Sequence, residues 1–196
     1  MKIRAAATAA LTVSAALLLS GCGTGTDDVS MPGMDHGSAS PSTGVNDADV
    51  MFASMMVVHH EQAIEMSDLV LDAEGVDPAV TDLAERIKAA QGPEIDQLQG
   101  WLGEWGIRSD DRDMSGMDHG DGMMSEDDLA QLRAADGLEA SRLFLEQMIV
   151  HHEGAVEMAQ VQVEDGNDPE AIALAEAIIE AQTDEIQEMN DLLAAL

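Results

Sequence analysis

The sequence has no tyrosine, two tryptophans, two phenylalanines and a single cysteine. With so few rings, a core must be assembled from Ala, Leu, Ile, Val and Met. One cysteine excludes an intramolecular disulfide and any thiolate cluster within one chain. Basic residues are scarce as well: 8 Lys and Arg stand against 39 Asp and Glu, a formal net charge of −31. Nucleic-acid binding needs a basic face to meet phosphates, so that class is excluded. A chain this acidic attracts cations instead. No run alternates Val, Thr or aromatic residues between turn signals, so strands are not expected. No nucleophile elbow and no Gly-rich phosphate loop is present, which argues against hydrolase and nucleotide chemistry. What the 196 residues do contain is Ala, Leu, Glu and Met in abundance, all good helix formers, with 14 Met and 6 His among them.

The N-terminus reads as a targeting segment. Lys2 and Arg4 give a basic start, and the apolar run from Ala5 to Leu19 is too short for a comfortable membrane span. Leu19-Ser20-Gly21-Cys22 resembles the lipobox of bacterial lipoproteins. That resemblance implies a signal peptide over 1–21, lipid on Cys22, and an extracytoplasmic protein held by that lipid on the outer face of the bacterial cell membrane. Residues 22–46 are rich in Gly, Ser, Thr, Asp and Pro, the composition of a disordered tether. Within them lies Met31-Pro32-Gly33-Met34-Asp35-His36-Gly37.

From Asp47 the pattern becomes helical and then repeats. Met56-Val57-Val58-His59-His60-Glu61-Gln62-Ala63-Ile64-Glu65-Met66 recurs 92 positions later as Met148-Ile149-Val150-His151-His152-Glu153-Gly154-Ala155-Val156-Glu157-Met158. At about 100° per residue, Phe52, Met55, Met56, His59, Ala63, Met66 and Val70 form one stripe, with His59 near its middle, His60 at its edge and Glu61 opposite. Glu74-Gly75 marks a helix stop. Asp77-Pro78 and Asp168-Pro169 each supply an N-cap followed by Pro at the first helical position. The second helix carries Leu83, Ile87, Ile95, Leu98 and Leu102 to about Glu104. Gly92-Pro93 predicts a kink inside it, and Trp101 and Trp105 are expected to close the core at its end. Ser125 with Asp128 resembles a capping box for a short helix, and a further helix runs over about 138–165. Two repeated hairpins, 47–105 and 138–196, joined by a linker over 106–137, each bury an apolar face by pairing. The expected domain, 47–196, is all-α, a four-helix bundle with pseudo-two-fold symmetry.

Adjacent histidines on a helix point about 100° apart, so each is expected to pair with residues three or four away. That gives His59 with Met55 or Met56, His60 with Met56, and Met148 with His151 or His152. Met66 and Met158 close the two motifs. Di-iron bundles place Glu-x-x-His on two helices. Here Met56-x-x-His59 and Met148-x-x-His151 hold that spacing, and a thioether in place of a carboxylate shifts preference from iron towards Cu(I). Glu65, Glu94, Glu157 and Glu185 could add carboxylates if turned inward. Gln91 and Gln182 are candidates to support the ligands from behind. The alternative is that His59 and His151 are core histidines satisfied by Gln or Glu across the bundle. Neutral imidazole is required for ligation, so binding is expected to weaken below about pH 6.

The linker adds a separate signal. Met114-Ser115-Gly116-Met117-Asp118-His119-Gly120 repeats the tether motif, and Met123-Met124 follow. Neither segment has the periodicity of a core element. Met31, Met34, His36, Met114, Met117, His119, Met123 and Met124 therefore read as flexible metal-binding motifs, similar to the Met/His runs of extracytoplasmic copper- and silver-binding proteins.

The two His-His-Glu stretches, each followed by Gln-x-x-Glu-Ile (Gln91, Glu94, Ile95 and Gln182, Glu185, Ile186), resemble the bacterial domain-of-unknown-function family 305 over roughly residues 47–195. The resemblance implies a ferritin-like four-helix bundle, often secreted or lipid-anchored, with some relatives linked to copper tolerance. The family's motif residues map to His59, His60, Gln91 and Glu94 and to His151, His152, Gln182 and Glu185. Gly92-Pro93 directly after Gln91 predicts that the first Gln-x-x-Glu is displaced relative to the second. The expected function is a lipid-anchored metal-binding protein, copper as Cu(I) favoured, with an unidentified copper-delivery protein as partner and no catalytic residues. The alternatives are a ferritin-like metal-dependent oxidase and a non-catalytic structural surface protein.

Overall fold

The computed structural model describes residues 44–107 and 122–196. The signal peptide, Cys22 and the motif residues Met31, Met34, His36, Met114, Met117 and His119 lie outside the described residues. Five α-helices follow in order: α1 Asp47–Asp72, α2 Pro78–Glu104, α3 Glu126–Ala134, α4 Gly137–Asp165 and α5 Pro169–Ala195. The architecture is all-α, two hairpins (α1–α2 and α4–α5) connected through α3. The hairpins meet along α1 and α4, and α3 lies on both of those helices.

Local chemistry sets the boundaries. Asn46 caps α1 by accepting from Asp49 N, and Asp49 returns the bond to Asn46 N, the reciprocal pairing of a capping box. Ser125 and Asp128 do the same for α3. Asp77 and Asp168 cap α2 and α5, each with Pro at the first helical position. The α2 helix is continuous through Pro93.

The core is two apolar clusters. One gathers Met66, Val70, Leu83 and Ile87 with Leu129, Phe144, Leu145, Met148 and Met189. The other gathers Phe52, Met56, Leu98, Trp101 and Trp105 with Ala155, Ala159, Ala175 and Ile178. The N-terminal half of α1 therefore meets the C-terminal half of α4, and the two run antiparallel. Trp101 and Trp105 stack at 6.0 Å at the margin of the second cluster, as expected of residues that close a core.

The ends of the hairpins lock each other reciprocally. Asp49 of α1 is fully buried and accepts from Asn167 N, Asp168 N and Gln162 Nε2 at the α4–α5 turn. Its repeat equivalent, Ser141 of α4, accepts from Asp77 N at the α1–α2 turn through Oγ at 3.0 Å. Each hairpin's first helix thus satisfies backbone donors in the other hairpin's turn, groups that would otherwise be orphaned.

Candidate metal centre

Between the two apolar clusters lies a transverse polar layer. On α1, His59 and His60 fall between Val57 of one cluster and Ala63 of the other; on α4, His151 and His152 fall between Met148 and Ala155. Gln91 on α2 and Gln182 on α5 take the corresponding places on the outer helices. All six are buried. His60, expected at the edge of the α1 stripe, is covered by α2, whose Glu94 reaches it.

The layer follows the sequence repeat. His60 Nε2 lies 2.7 Å from Glu94 Oε2, and His152 Nε2 lies 2.8 Å from Glu185 Oε2. The displacement expected from Gly92-Pro93 is therefore absent: the helix passes through Pro93 and Glu94 makes the same contact as its counterpart. Glu65 and Glu157 do not turn inward. Both are exposed, and Glu65 pairs with Arg133 at 3.2 Å.

His59 and His151 meet at the centre, ring centroids 3.7 Å apart and planes tilted by 37°. Among the described residues, neither nitrogen of either ring has a hydrogen-bond partner, and the Nδ1 atoms of His60 and His152 and the Oε1 atoms of Gln91 and Gln182 are likewise buried without one. His59 and His151 are thus not core histidines satisfied by Gln or Glu across the bundle. Burial, then the neighbouring His60 and His152, pushes the His59 imidazolium pKa down to about 3. Burial, followed by His59, His152 and His60, holds His151 well below the ordinary histidine value. Both are neutral at physiological pH, the form that ligates metals. Desolvation opposes the charged form, so burial keeps the His59 ring neutral well below the ordinary histidine value.

The methionines flank this layer. Met56 and Met148 are fully buried on either side of it, Met66 lies deeper in the first cluster, and Met158 packs half-buried against the second. Met55 is half-buried on α1. Among the described residues, no three His, Cys, Asp or Glu side chains converge in metal-ligating geometry. What the layer offers is a set of neutral imidazole nitrogens with no other partner, beside thioethers. That donor chemistry fits a soft, low-coordinate ion better than a hard ion needing many oxygens.

The end of the linker is held against the same layer. Gln62, one turn after His59, clamps the Met124 backbone at both ends, accepting from its N at 2.7 Å and donating to its O at 2.9 Å. Gly122, at φ +106°, approaches α4 so closely that a Cβ there would lie 2.7 Å from Val150 O. Met123 and Met124 are half-buried beside it. This docking rests on a difference between the repeats: Gln62 of the first is Gly154 in the second, and Gly154 is among the atoms Gly122 approaches. The clamp and the Asp49 hub were not read from sequence, whereas the symmetry of the repeat already turns His59 and His151 to the same interior space. Only Asn46-x-x-Asp49 carried a recognisable signal, as a capping-box spacing.

Comparison with known proteins places these features in a wider group. The profile of the family described as "Domain of unknown function (DUF305)" matches residues 49–193. A DUF305 protein of Streptomyces coelicolor, described as secreted, is 37% identical, with a TM-score of 0.70 over 76% of this chain and 93% of that one. A DUF305 fragment from Deinococcus radiodurans is 31% identical, with a TM-score of 0.67 over 78% and 99%. CopM in its Cu(I)-bound form is 31% identical, with a TM-score of 0.62 over 75% and 96%, and CopM structures with Cu(II) and silver match as well. No curated protein matches. With two His-His-Glu hairpins aligned over nearly its whole described length, the chain belongs to the DUF305 family.

Proposed function

We propose that this protein binds copper, Cu(I) in preference, in the polar layer between its hairpins, as a binding protein and not an enzyme. The observation that carries the reading is the pair His59 and His151: neutral, buried and in contact, with four ring nitrogens that no described residue satisfies. Leaving such groups unpaired costs about 1–3 kcal/mol each, and a bound ion offsets part of that cost by taking the lone pair of the acceptor nitrogen in each ring. His60 and His152 complete the imidazole set, and Met55, Met56, Met66, Met148 and Met158 supply the neighbouring thioethers. Gln91, Glu94, Gln182 and Glu185 support the ligands from α2 and α5. In this reading the hairpins form a ferritin-like bundle whose usual Glu-x-x-His positions carry Met-x-x-His, which selects against iron. The likeness to CopM, solved with Cu(I), Cu(II) and silver, supports it.

The surrounding segments fit the same role. The Met31–His36 and Met114–His119 motifs, with Met123 and Met124, capture the ion outside the layer. Lipid on Cys22 holds the mature protein at the outer face of the cell membrane, where copper arrives, and a separate delivery protein exchanges the ion with it.

The test is an anaerobic Cu(I) competition titration against a chromogenic chelator. The mature chain is compared with a variant in which Met31, Met34, His36, Met114, Met117, His119, Met123 and Met124 are serine, and with that variant also carrying His59→Leu and His151→Leu. Tight binding that survives the first set of changes and disappears with the second is expected. Equal binding with and without His59 and His151 would remove copper from the layer.

A further inference from the structure

The four histidines of the layer are not equivalent. Among the described residues, His59 and His151 have no hydrogen bond at either nitrogen, whereas His60 and His152 have one each, at Nε2 and to a carboxylate. A carboxylate oxygen accepts and does not donate. At 2.7 Å and 2.8 Å, the ring nitrogen facing it must carry the proton,. In the neutral ring that leaves the lone pair on Nδ1, and the Nδ1 atoms of both residues are buried with no partner. The repeat enforces the arrangement twice, from Glu94 on α2 and from Glu185 on α5, although α2 carries Gly92-Pro93 at that point and α5 does not.

We propose that Glu94 and Glu185 are positioning residues that fix His60 and His152 as Nε2–H tautomers, so that both rings present Nδ1 as the ligating atom. The proposal rests on the copper reading above and specifies its ligand atoms. A ligating imidazole that gives its second N–H to a carboxylate is held in orientation and made a stronger donor. His59 and His151 carry no such partner, so their tautomers remain free to follow the ion. The layer therefore combines two preset ligands, each tied to an outer helix, with two adaptable ones at the central contact. Glu94 and Glu185 are also the polar atoms of the layer that reach solvent, with side chains 26% and 17% exposed against 0% for the histidines they hold. Each His–Glu pair thus links a buried ligand to the surface.

The test uses the ¹⁵N-histidine-labelled mature chain and silver(I), a diamagnetic, redox-inert probe of Cu(I) sites. In the metal-free protein, long-range ¹H–¹⁵N spectra should show His60 and His152 protonated at Nε2. Silver should move their Nδ1 resonances and leave Nε2–H in place. Glu94→Leu and Glu185→Leu should abolish the single-tautomer signature and weaken silver binding by about 10- to 100-fold each. Glu94→Gln and Glu185→Gln, whose Oε1 still accepts from Nε2–H, should restore the tautomer and part of the affinity, which a merely structural loss would not predict. Protonation at Nδ1 in the metal-free protein overturns the proposal. So does unchanged silver affinity in the leucine variants while the wild type binds. A wild type that binds no silver at all, with the tautomers as described, instead overturns the copper reading and the ligand role with it, leaving only the tautomer assignment standing.

Discussion

His59 and His151 face each other across the α1–α4 interface at 3.7 Å, and among the described residues no hydrogen bond of good geometry reaches either ring. A neutral imidazole brings one donor and one acceptor, so the pair stands where two apolar side chains would pack without penalty. The arrangement therefore costs stability where an apolar pair would not.

The first prediction follows directly. Replacing both rings by leucine removes the unsatisfied nitrogens while keeping most of the buried volume. In metal-free buffer, His59→Leu/His151→Leu should be as stable as the wild type or more stable, by about 1–3 kcal/mol, in urea unfolding. With Cu(I) present the order should reverse, because only the wild type gains stability from binding. A double variant clearly less stable without metal would mean that the rings have native partners.

Stability should also depend on pH in a window set by these rings. The His59 pKa is about 3 in the folded protein, against about 6.5 unfolded. Between those values the unfolded chain binds protons that the folded one does not, so stability rises with pH across the window. Acidification from pH 7 should lower the urea midpoint, beginning near 6.5. His151 adds to the slope in the same direction. The midpoint of the double leucine variant should be flatter between pH 6.5 and about 4. Equal slopes in the two proteins would show that the histidines are not held neutral.

Much of this was legible in the sequence. The 92-residue repeat, the Asp-Pro caps and the placement of His59 on an apolar stripe give the hairpins and put the histidines inside. Glu94 matching Glu185 gives their acidic neighbours. Two things were hidden for a physical reason. The exposure of Glu65 and Glu157 and the burial of His60 depend on which helix covers which flank of α1 and α4, and one helix's periodicity does not contain its neighbour. The role of Gln62 depends on a chain that returns from 62 residues away to be clamped. The proline inside α2 leaves the Glu94 contact matched to that of Glu185.

The polar hub at the far end of α1 makes a third prediction. Asp49 accepts from four donors, Asn46 N among them, and these bonds hold its carboxyl below the ordinary value although burial acts the other way. Asp49→Ala should cost about 2–4 kcal/mol, because buried backbone donors of the α4–α5 turn lose a charged acceptor. Ser141→Ala, its repeat counterpart with one accepted turn bond, should cost about 1 kcal/mol. A depressed carboxylate contributes stability that is complete above its unfolded pKa and disappears as pH falls through its folded one. The wild type should therefore show a further acid loss below about pH 4, overlapping the lower end of the histidine window, and Asp49→Ala should lack it. Equal costs for the two alanines would contradict the asymmetry between the hairpin ends.

The last prediction concerns the linker end. Gly122 occupies φ +106°, where side chains are strained, and any Cβ would press on the α4 backbone at Val150 and Gly154. Backbone cannot yield as a flexible side chain can, so Gly122→Ala should lift residues 122–124 from the helix pair and break the Gln62–Met124 clamp, at a cost of about 1–3 kcal/mol. Gln62→Ala breaks the same clamp from the other side, without strain. Both variants should lose amide-exchange protection at Met124, whose N donates to Gln62 Oε1 at 2.7 Å, while the hydrogen-bonded interior of α5, which makes no bond to the clamp, keeps its protection. The two changes act on one contact, so their costs should be less than additive when combined. Additive costs, or protection at Met124 that survives either change, would show that the linker end is held by something other than the difference between Gln62 and Gly154.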